Sequence, residues 1–192
     1  MKLNIMVIGL SLLVVSGLVA AETVNYKIDP THTATVFTWN HLGFSTPSAN
    51  FSDIQGNIYV DNDRPAKSSV SVVIPVKSIN TNVPLLDTKI QDRDWFDVAK
   101  YPNITFKSTK VETTDKKHFK ILGNLTVKGI TKPVVLDAVL NSQAQHPMAK
   151  VPAIGFNAAT TIKRSDFDIA DIIPAVSDTI EIQITTEALA AQ

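Results

Sequence analysis

Four histidines, a cluster of aspartates and one arginine behind an alternating segment are the residues of this 192-residue chain whose types could do chemistry. His32 and His41 stand nine residues apart, an odd spacing that puts them on opposite faces of a regular strand. A metal centre needs three or four converging ligands with a supporting shell, so no metal site is expected. Asp29 is placed to pair with His32, and His118 and His146 sit in polar, turn-like contexts that read as solvent-facing. Cysteine is absent, which excludes thiol chemistry, thiolate metal sites and disulfides. No G-x-S-x-G elbow, H-E-x-x-H, P-loop or dinucleotide glycine pattern occurs, and no cofactor is expected. Asp87, Asp92, Asp94 and Asp97 gather in one short stretch. Paired carboxylates can cleave glycosidic bonds, but an acidic run on a short exposed helix is ordinarily a solvated face. Asp87 stands apart because Leu85, Leu86 and Ile90 could lay its helix against the body of the protein.

Aromatic residues say more. Phe37, Trp39, Phe44, Phe51, Trp95, Phe96, Phe106, Phe156 and Phe167 are spread over nearly every element, and ordinary core explains most of them. Phe44, Phe51, Trp95, Phe96 and Phe167 fall in or beside irregular segments, where they could line the mouth of a cavity. Arg164 directly follows an alternating run and could set a fixed positive charge there, or pair at the surface with Asp166 or Asp168.

The elements that must position these groups are strands. Period-two alternation, the mark of a strand with one buried face, runs through Ser69–Val76, Phe119–Val127, Val134–Leu140, Ile154–Ile162 and Ile180–Thr185. Thr33–Trp39, Phe51–Val60 and Asn103–Val111 bring the number to eight. Proline, glycine and asparagine clusters separate them, and Lys128-Gly129 between two alternating runs reads as a tight hairpin. From Val83 to Val98 the spacing of Leu86, Ile90 and Phe96 turns helical behind Pro84. The expectation is an all-β, eight-stranded antiparallel barrel with a short helical insert between strands three and four. Such a barrel is just wide enough to be filled by side chains or to hold one slender ligand.

Lys2, the apolar run Ile5–Val15 and the small residues Val19-Ala20-Ala21 have the layout of a secretory signal. Cleavage is expected after Ala21, leaving one domain over residues 22–192 and a periplasmic location. Loss of Lys2 leaves 17 basic against 18 acidic side chains, a net charge of −1. That balance gives no footprint for nucleic acid, and the mature chain has no second apolar stretch of membrane-spanning length.

The ordered landmarks resemble the YceI-like family of exported lipid-binding proteins. They are Tyr26-Lys27-Ile28-Asp29, His41-Leu42-Gly43-Phe44-Ser45, Asp94-Trp95-Phe96-Asp97-Val98-Ala99-Lys100-Tyr101-Pro102, Gly123 through Val134, and Arg164-Ser165-Asp166-Phe167. Leu86, Lys89-Ile90 and Asp168 depart from the usual pattern. The resemblance implies a lipocalin-like barrel holding a polyisoprenoid chain, such as a polyprenyl phosphate or a quinone tail, and in some relatives a homodimer. Phe37, Phe44, Phe51, Trp95, Phe96, Phe106, Phe156 and Phe167 would then supply apolar lining. His41, Asp87, Lys89 and Arg164 would meet the polar head group. Two rival readings are a lipid-acting hydrolase or isomerase using Asp87 and His41, and a solid-cored stress-response interaction module without ligand.

Overall fold

The computed structural model describes residues 23–191; the expected signal segment, residues 1–21, lies outside them. Eleven strand segments follow in order: β1 Val24–Ile28, β2 Ala34–Thr38, β3 Ser48–Phe51, β4 Gln55–Val60, β5 Ser69–Pro75, β6 Ile79–Asn80, β7 Asn103–Thr113, β8 His118–Val127, β9 Ile130–Gln145, β10 Pro152–Lys163 and β11 Thr179–Ala190. A single α-helix among the described residues, α1 Pro84–Gln91, lies between β6 and β7.

Three pairs of segments are single staves broken by a kink. β1 and β2 both pair with β11, β3 and β4 pair with β2 and β1, and β6 and β5 continue the ladder beyond them. Counted as staves, the molecule is an eight-stranded antiparallel meander, closed where the last stave meets the first. The helical insert sits between the third and fourth staves, where the sequence places it.

Two of the three kinks have a local cause in a proline turn. Between β1 and β2, Pro30 starts a 3-10 turn whose preceding residue, Asp29, accepts hydrogen bonds from the Thr31 backbone N–H and hydroxyl at 2.8 and 2.6 Å. His32 closes the same turn against Asp29 at 2.8 Å. Between β5 and β6, Pro75 leads into a turn over Val76–Ser78, and the Val76 N–H donates to the Pro102 carbonyl. Beyond these kinks β6 pairs with β3 and not with β7, which joins β5 instead. The insert, residues 81–102, covers the gap.

The turns define two ends. Loops 39–47, 81–102, 128–129 and 164–178 gather at one end, called the mouth below. Loops 61–68, 114–117 and 146–151 gather at the other. At Lys128-Gly129 both residues have positive φ, 50° and 74°, the geometry of a type I′ hairpin whose twist matches its strands. Lys128 then reaches across to the Asp168 carbonyl at 2.7 Å and its carboxylate at 3.3 Å.

The first stave starts earlier than the alternation alone indicates, at Val24 rather than Thr33, because β1 is held by partners on both sides. β9 runs from Ile130 to Gln145, well past Val134–Leu140. Its polar tail, Asn141 to Gln145, keeps strand geometry through pairing with β10 around a bulge at Gly155/Phe156.

Packed apolar side chains cap each end. Phe51, Val76, Ile79, Ile90, Val98, Phe167 and Ile169 form a buried cluster under the insert at the mouth. Tyr26, Ile28, Ile154 and Ala188 form a smaller one towards the far end. Along β11 the inward residues Ile180, Ile182 and Ile184 are only half-buried, because they border open space rather than other side chains.

Gly123 shows how closely the wall is fitted. A Cβ there would run into the Phe106 ring and come within 2.7 Å of the Lys107 carbonyl oxygen. Gly123→Val is expected to lower the unfolding free energy by about 1–3 kcal/mol, the usual cost of overpacking. Urea unfolding followed by far-UV circular dichroism checks this, and wild-type stability in the variant would refute the close fit.

Candidate functional site

The interior is a cavity of about 860 Å³, near the top of the range for ligand sites. Its walls are the alternating faces of the staves: Ile58, Val72, Ile74, Ile121, Leu125, Val134, Leu136, Leu140, Ile162, Ile180, Ile182 and Ile184 all face it. Ala158 and Ala138 pair across β10 and β9 and keep the middle of the barrel wide. Among the expected aromatics, Phe37, Phe51, Trp95, Phe96, Phe106, Phe156 and Phe167 line the cavity. Phe37 stacks on Phe51 with ring centres 5.5 Å apart, and Phe51 meets Phe96 edge-on at 6.2 Å. Phe156 packs edge-on against Phe119 at 5.9 Å deeper in the barrel.

Phe44 is the exception. It is 90% exposed and lies outside the lining. The turn that carries it puts Leu42 and Gly43 in left-handed conformations (φ 59° and 77°), with the Leu42 N–H donating to the Ala175 carbonyl. The tip of the turn therefore points to solvent, and the expected lining role is corrected.

Of the four expected polar contacts, His41, Lys89 and Arg164 line the cavity and Asp87 does not. Asp87 Oδ1 accepts hydrogen bonds from the Thr81 backbone N–H and hydroxyl, both at 2.7 Å, which fixes the approach to α1. Its place as a head-group contact is withdrawn on that ground. No hydrogen bond or ion pair joins Asp87 to His41 among the described residues, so the geometry offers no support for an acid–base pair of the two. Lys89 sits at the rim and faces Asp92 at 3.6 Å.

Arg164 is neither a surface ion pair nor a free cation. It is 6% exposed, and its guanidinium donates to four backbone carbonyls: Ser177 at 2.9 Å, Ile169 at 2.9 Å, Asp171 at 2.8 Å and Val176 at 2.9 Å. It thus winds the loop 169–178 around itself. The Trp95 ring lies against it, 5.7 Å from ring centre to guanidinium carbon, within cation–π range. Burial pushes Arg164 below the usual arginine range, opposed by the Asp178 and Asp171 carboxylates; it stays protonated. Asp168, one of the departures from the pattern the sequence resembles, is not in the lining. It occupies a left-handed position (φ 57°) that glycine would favour and anchors Lys128.

The far end is closed by polar groups that alternation does not reveal. Lys116 Nζ donates to the Asn62 carbonyl at 3.0 Å, and Gln143 donates to the Asn62 side chain at 3.1 Å and to the Tyr26 hydroxyl at 3.2 Å. Asp61, 1% exposed, holds Arg64 at 2.9 Å. The contacts of Lys116 and Gln143 join residues far apart in sequence, so only the folded register assembles them, whereas Asp61 and Arg64 are three residues apart. None of the described helices is long and apolar enough to cross a membrane.

Residues 26–188 match the YceI-like domain family. A UPF0312 protein of Pseudomonas putida is 36% identical over 184 residues, covering 95% of this chain and 93% of the relative. The crystal structure of a YCEI protein from Campylobacter jejuni superposes with a TM-score of 0.71 at 32% identity, over 80% of this chain and 90% of the other. A polyisoprenoid binding domain from Saccharophagus degradans shares the fold, with a TM-score of 0.65 at 15% identity over 88% and 99% of the two chains.

Replacing Arg164 by Met keeps bulk but leaves four carbonyls without their donor, two of them in buried hydrogen bonds and two in part-buried ones. At about 1–3 kcal/mol per stranded group, partly relieved by water, the expected loss is about 3 kcal/mol or more in urea unfolding. Arg164→Lys should rescue only part of it, since an ammonium cannot reproduce the planar fork. Full rescue by Lys would show that charge rather than geometry matters there.

Proposed function

The chain belongs to the YceI-like domain family, and on that footing we propose that it is a carrier for an isoprenoid lipid, with the tail in the barrel and the polar end at the mouth. The observation that carries this reading is the cavity itself: about 860 Å³, walled by aliphatic and aromatic side chains along the whole barrel. Burying a methylene is worth about 0.8 kcal/mol. A long unfunctionalised tail therefore gains affinity by filling the space, even after the cost of ordering it. The polyisoprenoid binding domain of the same fold supports the class of ligand. A polyprenyl phosphate and an isoprenoid quinone both have the required shape. The reading requires no covalent chemistry. Residues 1–21 carry the signal pattern, so the proposed site of action is the periplasm, where a lipid tail in transit needs shielding from water. A solid-cored interaction module is disfavoured by the open interior.

Protein purified from its native host and extracted with organic solvent should yield an isoprenoid lipid by mass spectrometry; a clean extract from folded protein would sink the carrier reading. Ala158→Trp puts an indole into the middle of the cavity. It should abolish lipid recovery while leaving the β-sheet circular dichroism spectrum unchanged, and undiminished lipid in that variant would place the ligand elsewhere.

A further inference from the structure

Of the ten large apolar side chains exposed among the described residues, five belong to the mouth loops. Phe44, near the tip of the turn 39–47, is 90% exposed, and Leu85, in the first turn of α1, is 81% exposed. Leu42, Val83 and Ile172 are each about half exposed. The others are Val36, Tyr59, Val73 and Val135 on the walls, none above 41%, and Met148 at the far end. Single exposed apolar residues are ordinary, but a group of them around one opening marks an interaction surface. The display is fixed by hydrogen bonds. The Phe44 N–H donates to the His41 carbonyl at 3.0 Å and the Gly43 N–H to the Asn40 side chain at 2.8 Å. The Leu42 N–H and the Asn40 carbonyl tie this turn to Ala175 and Ser177, in the loop that Arg164 gathers around itself. We propose that this rim docks on the surface of a phospholipid bilayer, with Phe44 and Leu85 entering the acyl layer. The ligand then crosses between bilayer and barrel past Val83 and Ile172. That route rests on the carrier reading above and adds how the ligand enters.

Charge and continuity select a bilayer over other occupants. Residues 39–47 and 81–86 contain no lysine, arginine, aspartate or glutamate, and residues 169–176 contain only Asp171, which lines the cavity. A charge carried into hydrocarbon is costly, and these tips bring almost none. Further along the insert Asp87 is turned onto Thr81, and Lys89 faces Asp92. A protein partner would instead be met by a polar rim rich in hydrogen bonds. Val83 and Ile172 are half exposed and also belong to the cavity wall, so they join the outer tips to the inner lining. An isoprenoid tail resides in a bilayer, and a path through water would expose its whole apolar surface. Burial of one large apolar side chain is worth about tenfold or more in affinity. A few such tips give binding that is measurable yet reversible, as a carrier requires. With no basic cluster at the tips, attraction to anionic lipid is not part of the mechanism.

Phosphatidylcholine vesicles free of isoprenoid are the probe, and binding is read by flotation. The protein should float with them, and its affinity should change less than about twofold between about 0.05 and about 0.5 M salt, a range that screens charge attraction strongly. Phe44→Asp combined with Leu85→Asp should weaken binding at least about tenfold. Met148→Asp, at an equally exposed site on the far end, should leave it within about twofold. Phe44 and Leu85 lie outside the cavity lining. The double variant should therefore take up detergent-dispersed isoprenoid benzoquinone or polyprenyl phosphate as the wild type does, while moving it between vesicles at least about tenfold more slowly. Absence of flotation, equal flotation of the double variant, or an equal loss in Met148→Asp overturns the docking and leaves the carrier reading standing. A wild-type dimer that the double variant dissolves, with no flotation, also overturns it and assigns the tips to a second copy of the chain. Mouth-dependent flotation of protein that takes up neither isoprenoid upholds the docking and removes the carrier reading.

Discussion

The structure depends on closure of the sheet, and closure depends on β11. This strand pairs with β10 along eleven residues on one side and with both β1 and β2 on the other. A sheet closed on itself has no free edge along that seam and fixes which face of every stave points inward. Ile180, Ile182 and Ile184 then face the interior while Glu181 and Gln183 face solvent, and a one-residue slip would exchange the two sets. An eight-stranded barrel lies at the boundary between filled and hollow. Here alanines at 138 and 158, and the glycine at 123 that yields to Phe106, tip the balance: side chains close the ends and leave the middle open.

Closure constrains the far end more than the mouth. Three staves kink at adjacent positions, and above the kinks β6 no longer meets β7. That gap would expose backbone and apolar surface if the insert did not cover it, with Ile90 and Val98 buried against Phe51 and Ile79. Loop 164–178 needs a different support because it carries little secondary structure of its own. Arg164 supplies this by collecting four carbonyls around one planar group. Long irregular segments are tolerated at the mouth because each is tied by a specific polar contact: Asp87 on Thr81, Lys128 on Asp168, Leu42 on Ala175.

Much of this was readable from the chain, where local chemistry and fold agree. Alternation in β8, β10 and β11 named the inward residues, Lys128-Gly129 named a hairpin, and Leu86, Ile90 and Pro84 named the insert. What could not be read depends on pairings across long sequence distances. β1 is held by strands at least 30 and 160 residues away, and the polar tail of β9 stays extended because β10 lies beside it. The same limit explains the site. Phe44 has the residue type of a lining group, yet a left-handed turn aims it at solvent. Asp87 stood out as an acid and is an anchor for Thr81. Arg164 reads from the sequence as either a fixed charge at the mouth or a surface ion pair, but its partners are carbonyls from a loop with no periodic pattern, which no spacing rule anticipates.

The polar groups around the cavity are unequal in a way that bears on how an amphiphile would lie in it. At the far end Lys116, Asn62, Gln143 and Tyr26 satisfy one another, and Asp61 has Arg64. A ligand's polar end placed there would have to displace existing hydrogen bonds and gain little net. At the mouth, Arg164 has spent nearly all its donors on the protein, but Lys89 stands half-exposed at the rim, where water reaches the opening. A polar group buried without partners costs free energy, so a polar end that keeps its water at the mouth loses less than one carried to the far end. The aliphatic wall between the ends contributes affinity without direction. Direction comes from this difference, and it favours a tail that lies inward and a polar end that stays at the mouth.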